Sequence, residues 1–245
     1  MIVELDCGNS FIKWRVIPVT GGTPVIEGVV SEVVDLIRDL VGKRDYVSRC
    51  RLVSVRSDIE TRAIMDALSE SLKINVVKAE AAERVEGVVN GYRDQQRLGL
   101  DRWLAIVAAY NLCGGACLVI DLGTAITVDL VAPDGRHLGG YIAPGMALLR
   151  GQLLAHTRRI QYDPAEAQFA LNDISPGKST VEAVERGCFV MARAYVSSQM
   201  DSARHHLGGE FVTYVTGGDA LLAADFPAVK CVPDLVFKGL AIVCP

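Results

Sequence analysis

Two short stretches place an aspartate, a glycine and a small polar residue where an apolar run ends. The first is Val3-Glu4-Leu5-Asp6-Cys7-Gly8-Asn9-Ser10-Phe11-Ile12-Lys13. The second is Val119-Ile120-Asp121-Leu122-Gly123-Thr124-Ala125-Ile126-Thr127-Val128-Asp129. Their aspartates stand 115 residues apart, close to half of the 245-residue chain. A carboxylate at a strand end can hold hydrated Mg²⁺, directly or through water. Glycines at 8 and 123 let the backbone approach phosphate oxygens closely. Asn9, Ser10, Thr124 and Thr127 can donate hydrogen bonds, and Lys13 adds a positive charge. Phosphoryl transfer asks a protein chiefly for positioning and charge stabilisation, and these residue types supply both. A single Asp-x-Gly is an ordinary hairpin turn. Two copies in matching contexts point to a nucleotide phosphate at the tip.

Between the copies, Gly99-Leu100-Asp101-Arg102 opens a helix read over residues 101–112. Asp101 suits two roles. It can accept the proton of a substrate hydroxyl, or it can cap the helix, which is worth about 1 kcal/mol. Spacing does not separate the two. Ser175-Pro176-Gly177-Lys178-Ser179-Thr180 imitates a phosphate loop, but that pattern needs a glycine where Asn172 stands, and a preceding strand. The stretch reads as the capped start of a long helix, with Thr180 as a polar substrate contact in the sharper reading. Thr216-Gly217-Gly218-Asp219 and Gly139-Gly140-Tyr141-Ile142-Ala143-Pro144-Gly145 each join a strand to a helix start. The first suits close approach of a flat ligand such as adenine, and equally suits an ordinary tight turn.

The elements that must carry these residues follow from periodicity. Strands are expected at about 2–8, 11–18, 25–30, 50–55 and 74–77, with helices from Ser31, over 58–70 and over 101–112. The second half gives strands near 116–121, 125–132 and 137–142, a helix near 145–155 and a long helix from about Thr180 to His206. A strand over 211–215, a helix near 219–224, a strand over 229–232 and a last helix from Asp234 complete it. Both halves run strand-first and helix-later. That order predicts a duplicated α/β unit, residues 1–115 and 116–245, around a central cleft where the two Asp-x-Gly turns face one ligand.

Composition narrows the partners. Half of the residues are apolar, 22% are charged and the net charge is −4, so there is no basic footprint for nucleic acid. No apolar run approaches the roughly 20 residues that cross a bilayer. Glu4 and Asp6 stand where a secretory signal would need a basic and then an apolar region. A cytoplasmic protein is expected. The seven cysteines are odd in number, and Cys113-x3-Cys117 lacks the second pair or histidines of a zinc set. They read as buried thiols in a reducing compartment.

The motifs Asp6-x-Gly8-Asn9-Ser10-x-x-Lys13, Gly99-x-Asp101-Arg102, Asp121-x-Gly123-Thr124-Ala125-x-Thr127-x-Asp129, Gly139-Gly140-x-Ile142-x-Pro144-Gly145 and Thr216-Gly217-Gly218 occur in the order seen in type III pantothenate kinases. The chain resembles that family from Asp6 to Gly218. The first and third motifs belong to the wider acetate kinase, sugar kinase, Hsp70 and actin superfamily, and Gly-x-Asp-Arg narrows it. The resemblance implies two ribonuclease H-like, actin-like ATPase halves and ATP-dependent phosphorylation of pantothenate to 4′-phosphopantothenate, the first step of coenzyme A synthesis. It implies Asp101 as proton acceptor, and Asp6, Cys7, Gly8, Asn9, Ser10, Phe11, Ile12, Lys13 and Thr124 at the ATP phosphates. Tyr92, Gly99, Leu100, Asp101, Arg102 and Thr180 would contact pantothenate. Asp121 would bind a monovalent cation, K⁺ or NH₄⁺, besides the Mg²⁺ that accompanies ATP. The family is homodimeric, with the long helix at the interface and the pantothenate pocket completed across it, which would set Thr180 near the partner's base. Two departures stand out: Ser10 replaces the usual threonine, and Asp94-Gln95 stands where the family often has Asn-Pro. A regulatory relative without kinase activity, and a kinase of another small hydroxyl compound, are the alternatives.

Overall fold

The computed structural model describes residues 1–245, apart from the side chains of Arg44 and Pro164. The chain forms two compact units, residues 1–112 with 234–245, and residues 113–233. Each holds a five-stranded mixed sheet.

In the first unit, β1 (Ile2–Cys7) and β2 (Ile12–Ile17) make the first hairpin, with Asp6 opposite Lys13. β3 (Ile26–Val30), β4 (Arg49–Ser54) and β5 (Asn75–Lys78) complete the sheet in the order β3-β2-β1-β4-β5. β1 pairs antiparallel with β2 and parallel with β4. Successive residues of a strand face opposite sides. Val3, Leu5 and Cys7 therefore meet α1 (Val33–Val41) and α2 (Asp58–Leu72), through Leu36, Leu40, Ile64, Leu68 and Leu72. Ser57 and Glu60 form a reciprocal cap at the start of α2. Ser31 does not cap α1, because the helix starts at Val33 and Glu32 holds the cap position without a side-chain bond.

Glu4 faces the other side and is fully buried. Its two cross-strand neighbours are Arg15 on β2 and Arg51 on β4. Arg15 Nε donates to Glu4 Oε2 at 2.5 Å, and Arg51 Nε donates to Oε1 at 2.8 Å. The same arginines hold α7 (Leu235–Val243), which packs on β1 and β4. Arg15 also reaches Asp234 and lies 4.6 Å over the Phe237 ring, while Arg51 donates to the Cys244 carbonyl. The helix from Asp234, which sequence order assigns to the second half, is therefore built onto the first sheet. A short ribbon, β6 (Arg84–Val85) and β7 (Val88–Val89), precedes α3 (Leu100–Cys113), whose residues 102–109 are all buried.

The second unit repeats the plan. β8 (Cys117–Leu122), β9 (Ala125–Val131), β10 (His137–Pro144), β11 (Val212–Thr216) and β12 (Val229–Cys231) lie in the order β10-β9-β8-β11-β12. Asp121 stands opposite Thr127 in the β8–β9 hairpin. α4 (Met146–His156) and α5 (Pro164–Ala170) pack against α6 (Thr180–Leu207). α6 lays Val184, Cys188, Ala192, Val196 and Met200, four residues apart, on the strand residues Leu118, Ile120, Val128 and Leu130. The helix expected near 219–224 is one 3₁₀ turn, Ala220–Ala223.

Candidate active site

The first Asp-x-Gly turn joins β1 to β2. Asp6 is half-buried at its edge, and Asn9, Ser10, Phe11 and Lys13 are exposed. Cys7 and Ile12 are fully buried, so at those two positions only the backbone can meet a ligand. Burial, with Asp6 adding to it, pushes the Cys7 thiol up to about 12, which makes it a core residue and no nucleophile. Arg56 completes this turn, its Nε donating to the Gly8 carbonyl at 2.8 Å. Sequence reading passed over Arg56. It lies 48 residues from Gly8, just past the end of β4, and only the parallel β1–β4 pairing brings the two together.

Asp101 is the second residue of α3 and so lies inside the first turn, not at the N-cap position. Its Oδ1 accepts from the Arg102 amide at 2.7 Å. A carboxylate there is favoured by the free amides and positive dipole end of the helix. The neighbouring Arg102 is buried, and its Nη1 donates to the Tyr92 hydroxyl at 2.8 Å, with the guanidinium 5.6 Å from the ring centroid. Tyr92, Asp101 and Arg102 thus form one group. Buried Asn90 holds the preceding loop: its Oδ1 accepts from the Tyr92 amide at 3.0 Å, and its Nδ2 donates to the Gln95 carbonyl at 3.2 Å. Asn90 is a supporting residue that no sequence motif flagged. At the departure from the family pattern, Asp94 accepts from the Gln96 amide and caps the 3₁₀ turn Gln95–Arg97.

In the second unit the start of α4 and the turn at 216–219 close on the turn that follows Asp121. Gly217 has φ +96°, and a Cβ there would stand 2.4 Å from both Asp121 Oδ1 and the Leu122 carbonyl oxygen. A Cβ on Gly145 would stand 2.1 Å from the Gly123 carbonyl oxygen and 2.6 Å from that of Thr124. The Gly145 amide donates to Thr124 O at 3.1 Å, and the Asp219 amide to Leu122 O at 2.8 Å. The end of β10 with Gly145, and the turn at 216–219, ambiguous in sequence alone, are therefore walls of the Asp121–Thr124 turn. Thr124 is exposed at its tip. Asp129 is withdrawn instead, buried against His137 at 2.8 Å. Among the described residues no three His, Cys, Asp or Glu side chains gather as a metal cage, so a cation at Asp121 would complete its shell with backbone, phosphate or water oxygens.

Thr180 is exposed at the start of α6, after Ser179, whose Oγ accepts from the Glu182 amide. It lines an apolar groove of about 880 Å³ with Leu149, Leu153, Ile160, Val184 and Met191. Glu185 beneath is buried and accepts from Arg150 at 2.9 Å and from the Tyr162 hydroxyl at 2.9 Å. Burial and then that carboxylate push the Tyr162 hydroxyl up to about 12. Among the described residues no helix is long and apolar enough to cross a membrane.

Comparison with known proteins bears on this arrangement. The profile of the family described as type III pantothenate kinase matches residues 2–202. The type III pantothenate kinase of Ectopseudomonas mendocina (strain ymp) is 54% identical over 246 residues, covering 100% of this chain and 99% of that one. That of Pseudomonas fluorescens (strain SBW25) is 53% identical over 247 residues, with the same coverage. Among solved structures, a conserved putative Baf family transcriptional activator from Campylobacter jejuni aligns with a TM-score of 0.61 at 19% identity, over 98% of this chain and 96% of its own. The activator of 2-hydroxyisocaproyl-CoA dehydratase from Clostridium difficile with bound ADPNP aligns with a TM-score of 0.53 at 13% identity, over 99% and 92%. At such identities the likeness is one of fold: duplicated ribonuclease H-like halves of the actin-like ATPase and sugar kinase type.

Proposed function

The chain belongs to the type III pantothenate kinase family, and from that premise we propose how its residues divide the reaction. It is a kinase that phosphorylates pantothenate with ATP in coenzyme A biosynthesis. Asp101 takes the proton of the pantothenate primary hydroxyl as its oxygen bonds the γ-phosphorus, and the bridging oxygen leaves with ADP. Tyr92, Gly99, Leu100, Arg102 and Thr180 contact pantothenate. Residues Asp6 to Lys13, with Thr124, hold the ATP phosphates, Cys7 and Ile12 through their backbone.

The observation that supports this reading is the group at the start of α3. Asp101 sits in the helix first turn, its Oδ1 held by the Arg102 amide, next to the buried Arg102 that bonds Tyr92. Asp121 is the residue proposed to hold a monovalent cation, K⁺ or NH₄⁺. Its support is that the Leu122, Gly123 and Thr124 carbonyls lie in the same turn as its carboxylate. Mg²⁺ arriving with ATP would supply charge neutralisation on the β- and γ-phosphates.

We further assign a homodimer joined along α6. Its support is the exposed apolar surface of that helix, Val190 at 53% and Met191 at 51%, next to the groove that Thr180 lines. A cytoplasmic location belongs to the same reading, supported by four cysteines buried as thiols. The likeness to the Campylobacter jejuni protein reaches only to fold and lends no support to a regulatory role. The test is an ADP-release assay with pantothenate, Mg²⁺ and K⁺ on the wild type and Asp101→Asn. Turnover lost in the variant with ATP binding kept is the expected result. Near-normal turnover would end the role given to Asp101.

A further inference from the structure

We propose that Cys113 and Cys117 form a peroxide-reactive dithiol, in which Cys113 is oxidised first and Cys117 resolves it to an intramolecular disulfide. Cys113 closes α3 and Cys117 opens β8. Gly114, at φ +64°, turns the connection so that the two side chains hydrogen-bond each other. As a thiol, Cys113 donates to the Gly115 carbonyl at 3.2 Å. As a thiolate it accepts from the Cys117 thiol and from the Gly115 amide, with the Lys230 ammonium adding favourable charge. These contacts, the bond from Cys117 foremost, hold Cys113 well below the ordinary thiol range, while the same bond and burial push Cys117 up. Tyr214 is pushed up by burial and then by the two sulfurs, so it stays a neutral phenol beside them, with Lys230 Nζ 6.0 Å from its ring.

Access divides the two roles. Cys113 is half-buried at the edge of a cavity of about 540 Å³ that Met200, Arg204, Glu210 and Phe211 also line, whereas Cys117 is fully buried. A reachable thiolate beside a sheltered thiol is the arrangement of an attacking and a resolving cysteine. Among the described residues no third His, Cys, Asp or Glu joins them as a metal set. Elsewhere burial raises the thiols of Cys7, Cys50, Cys188 and Cys244. Cys231 is exposed and serves as an internal reference.

The chemistry balances with hydrogen peroxide as oxidant. The Cys113 thiolate attacks one peroxide oxygen, an S–O bond forms as the O–O bond breaks, and the departing hydroxide takes a proton and leaves as water. The Cys117 sulfur then attacks the resulting sulfenic sulfur. An S–S bond forms, the S–O bond breaks, and the Cys117 proton leaves with that oxygen as a second water. Two thiols are oxidised, one peroxide is reduced, and the chain loses two hydrogens.

The test treats the full-length protein with one equivalent of hydrogen peroxide near neutral pH and follows the tryptic peptide 103–136, which carries both cysteines. The expected result is loss of two hydrogens from that peptide, on the order of ten times faster than Cys231 loses its thiol. Cys117→Ser should stop at a sulfenic acid on residue 113, trapped by dimedone, and Cys113→Ser should form no bridge. Pantothenate kinase activity before oxidation reports that each variant is folded. Reaction at Cys113 no faster than at Cys231, or sulfinic acid at Cys113 in the wild type without a bridge, overturns the proposal.

Discussion

Asp101 is the residue on which turnover is expected to depend most. Asparagine keeps its size and its contact with the Arg102 amide but cannot take a proton. Asp101→Asn should lower kcat by about 10²- to 10⁴-fold, the usual share of a general base, with ATP affinity unchanged by calorimetry. Gly217 offers an independent test of the second turn. Alanine there meets both a left-handed backbone and a methyl group 2.4 Å from Asp121 Oδ1, so the carboxylate or the turn must move. Gly217→Ala should raise the K⁺ concentration needed for half-maximal activity, while the far-UV spectrum stays that of the wild type. A K⁺ dependence equal to the wild type's would detach Asp121 from the cation.

At the scale of elements, the C-terminal helix is held by a ladder of charges rather than by apolar contact alone. Glu4 is shared by Arg15 and Arg51, and the same two arginines reach Asp234 and Cys244 O. Removing one charge of a buried set leaves the others unpaired. Glu4→Gln should therefore destabilise the first unit by about 3–5 kcal/mol in chemical denaturation. Asp234 adds a pH dependence. Burial alone would raise its carboxyl, but hydrogen bonds from Lys238 and Arg15 outweigh that and hold it below the ordinary value. A carboxyl lowered in the folded state contributes stability that is full above the unfolded value of about 3.9 and is lost as pH falls through the lowered one. Asp234→Asn should flatten that acid limb in a plot of Tm against pH and leave a plot above pH 5 with little slope from this group.

For the whole molecule, the two sheets share one strand order, and each hangs its Asp-x-Gly turn on the hairpin that includes the central strand. The proposed dimer gives this scale its own test. Met191→Glu puts a charge on the exposed face of α6, 51% accessible in the single chain, where an interface would have to bury it. Sedimentation should show a monomer for the variant and a dimer for the wild type, with pantothenate KM raised if Thr180 serves a shared pocket. A wild-type monomer with full activity would remove the dimer from the reading.

The two hairpins and the strand-first, helix-later run of elements in each half were legible in the sequence because each depends on neighbours a few residues apart. Alternation puts Val3, Leu5 and Cys7 on one face, and Asp-x-Gly makes its turn wherever it stands. The reaction was legible only through the family resemblance, which the continuous stretch Gly99 to Arg102 narrows. Other features were decided only in three dimensions. Arg56 meets Gly8 across a parallel strand pair, Gly145 and Gly217 close on Gly123 and Asp121, and Asp234 joins Arg15 from 219 residues away. Parallel pairing and helix docking bring together residues whose separation in the chain carries no periodic signal. Burial then selects among partners that composition leaves equivalent: seven cysteines are alike as letters, and packing alone makes Cys7 part of a core and Cys113 a reachable sulfur.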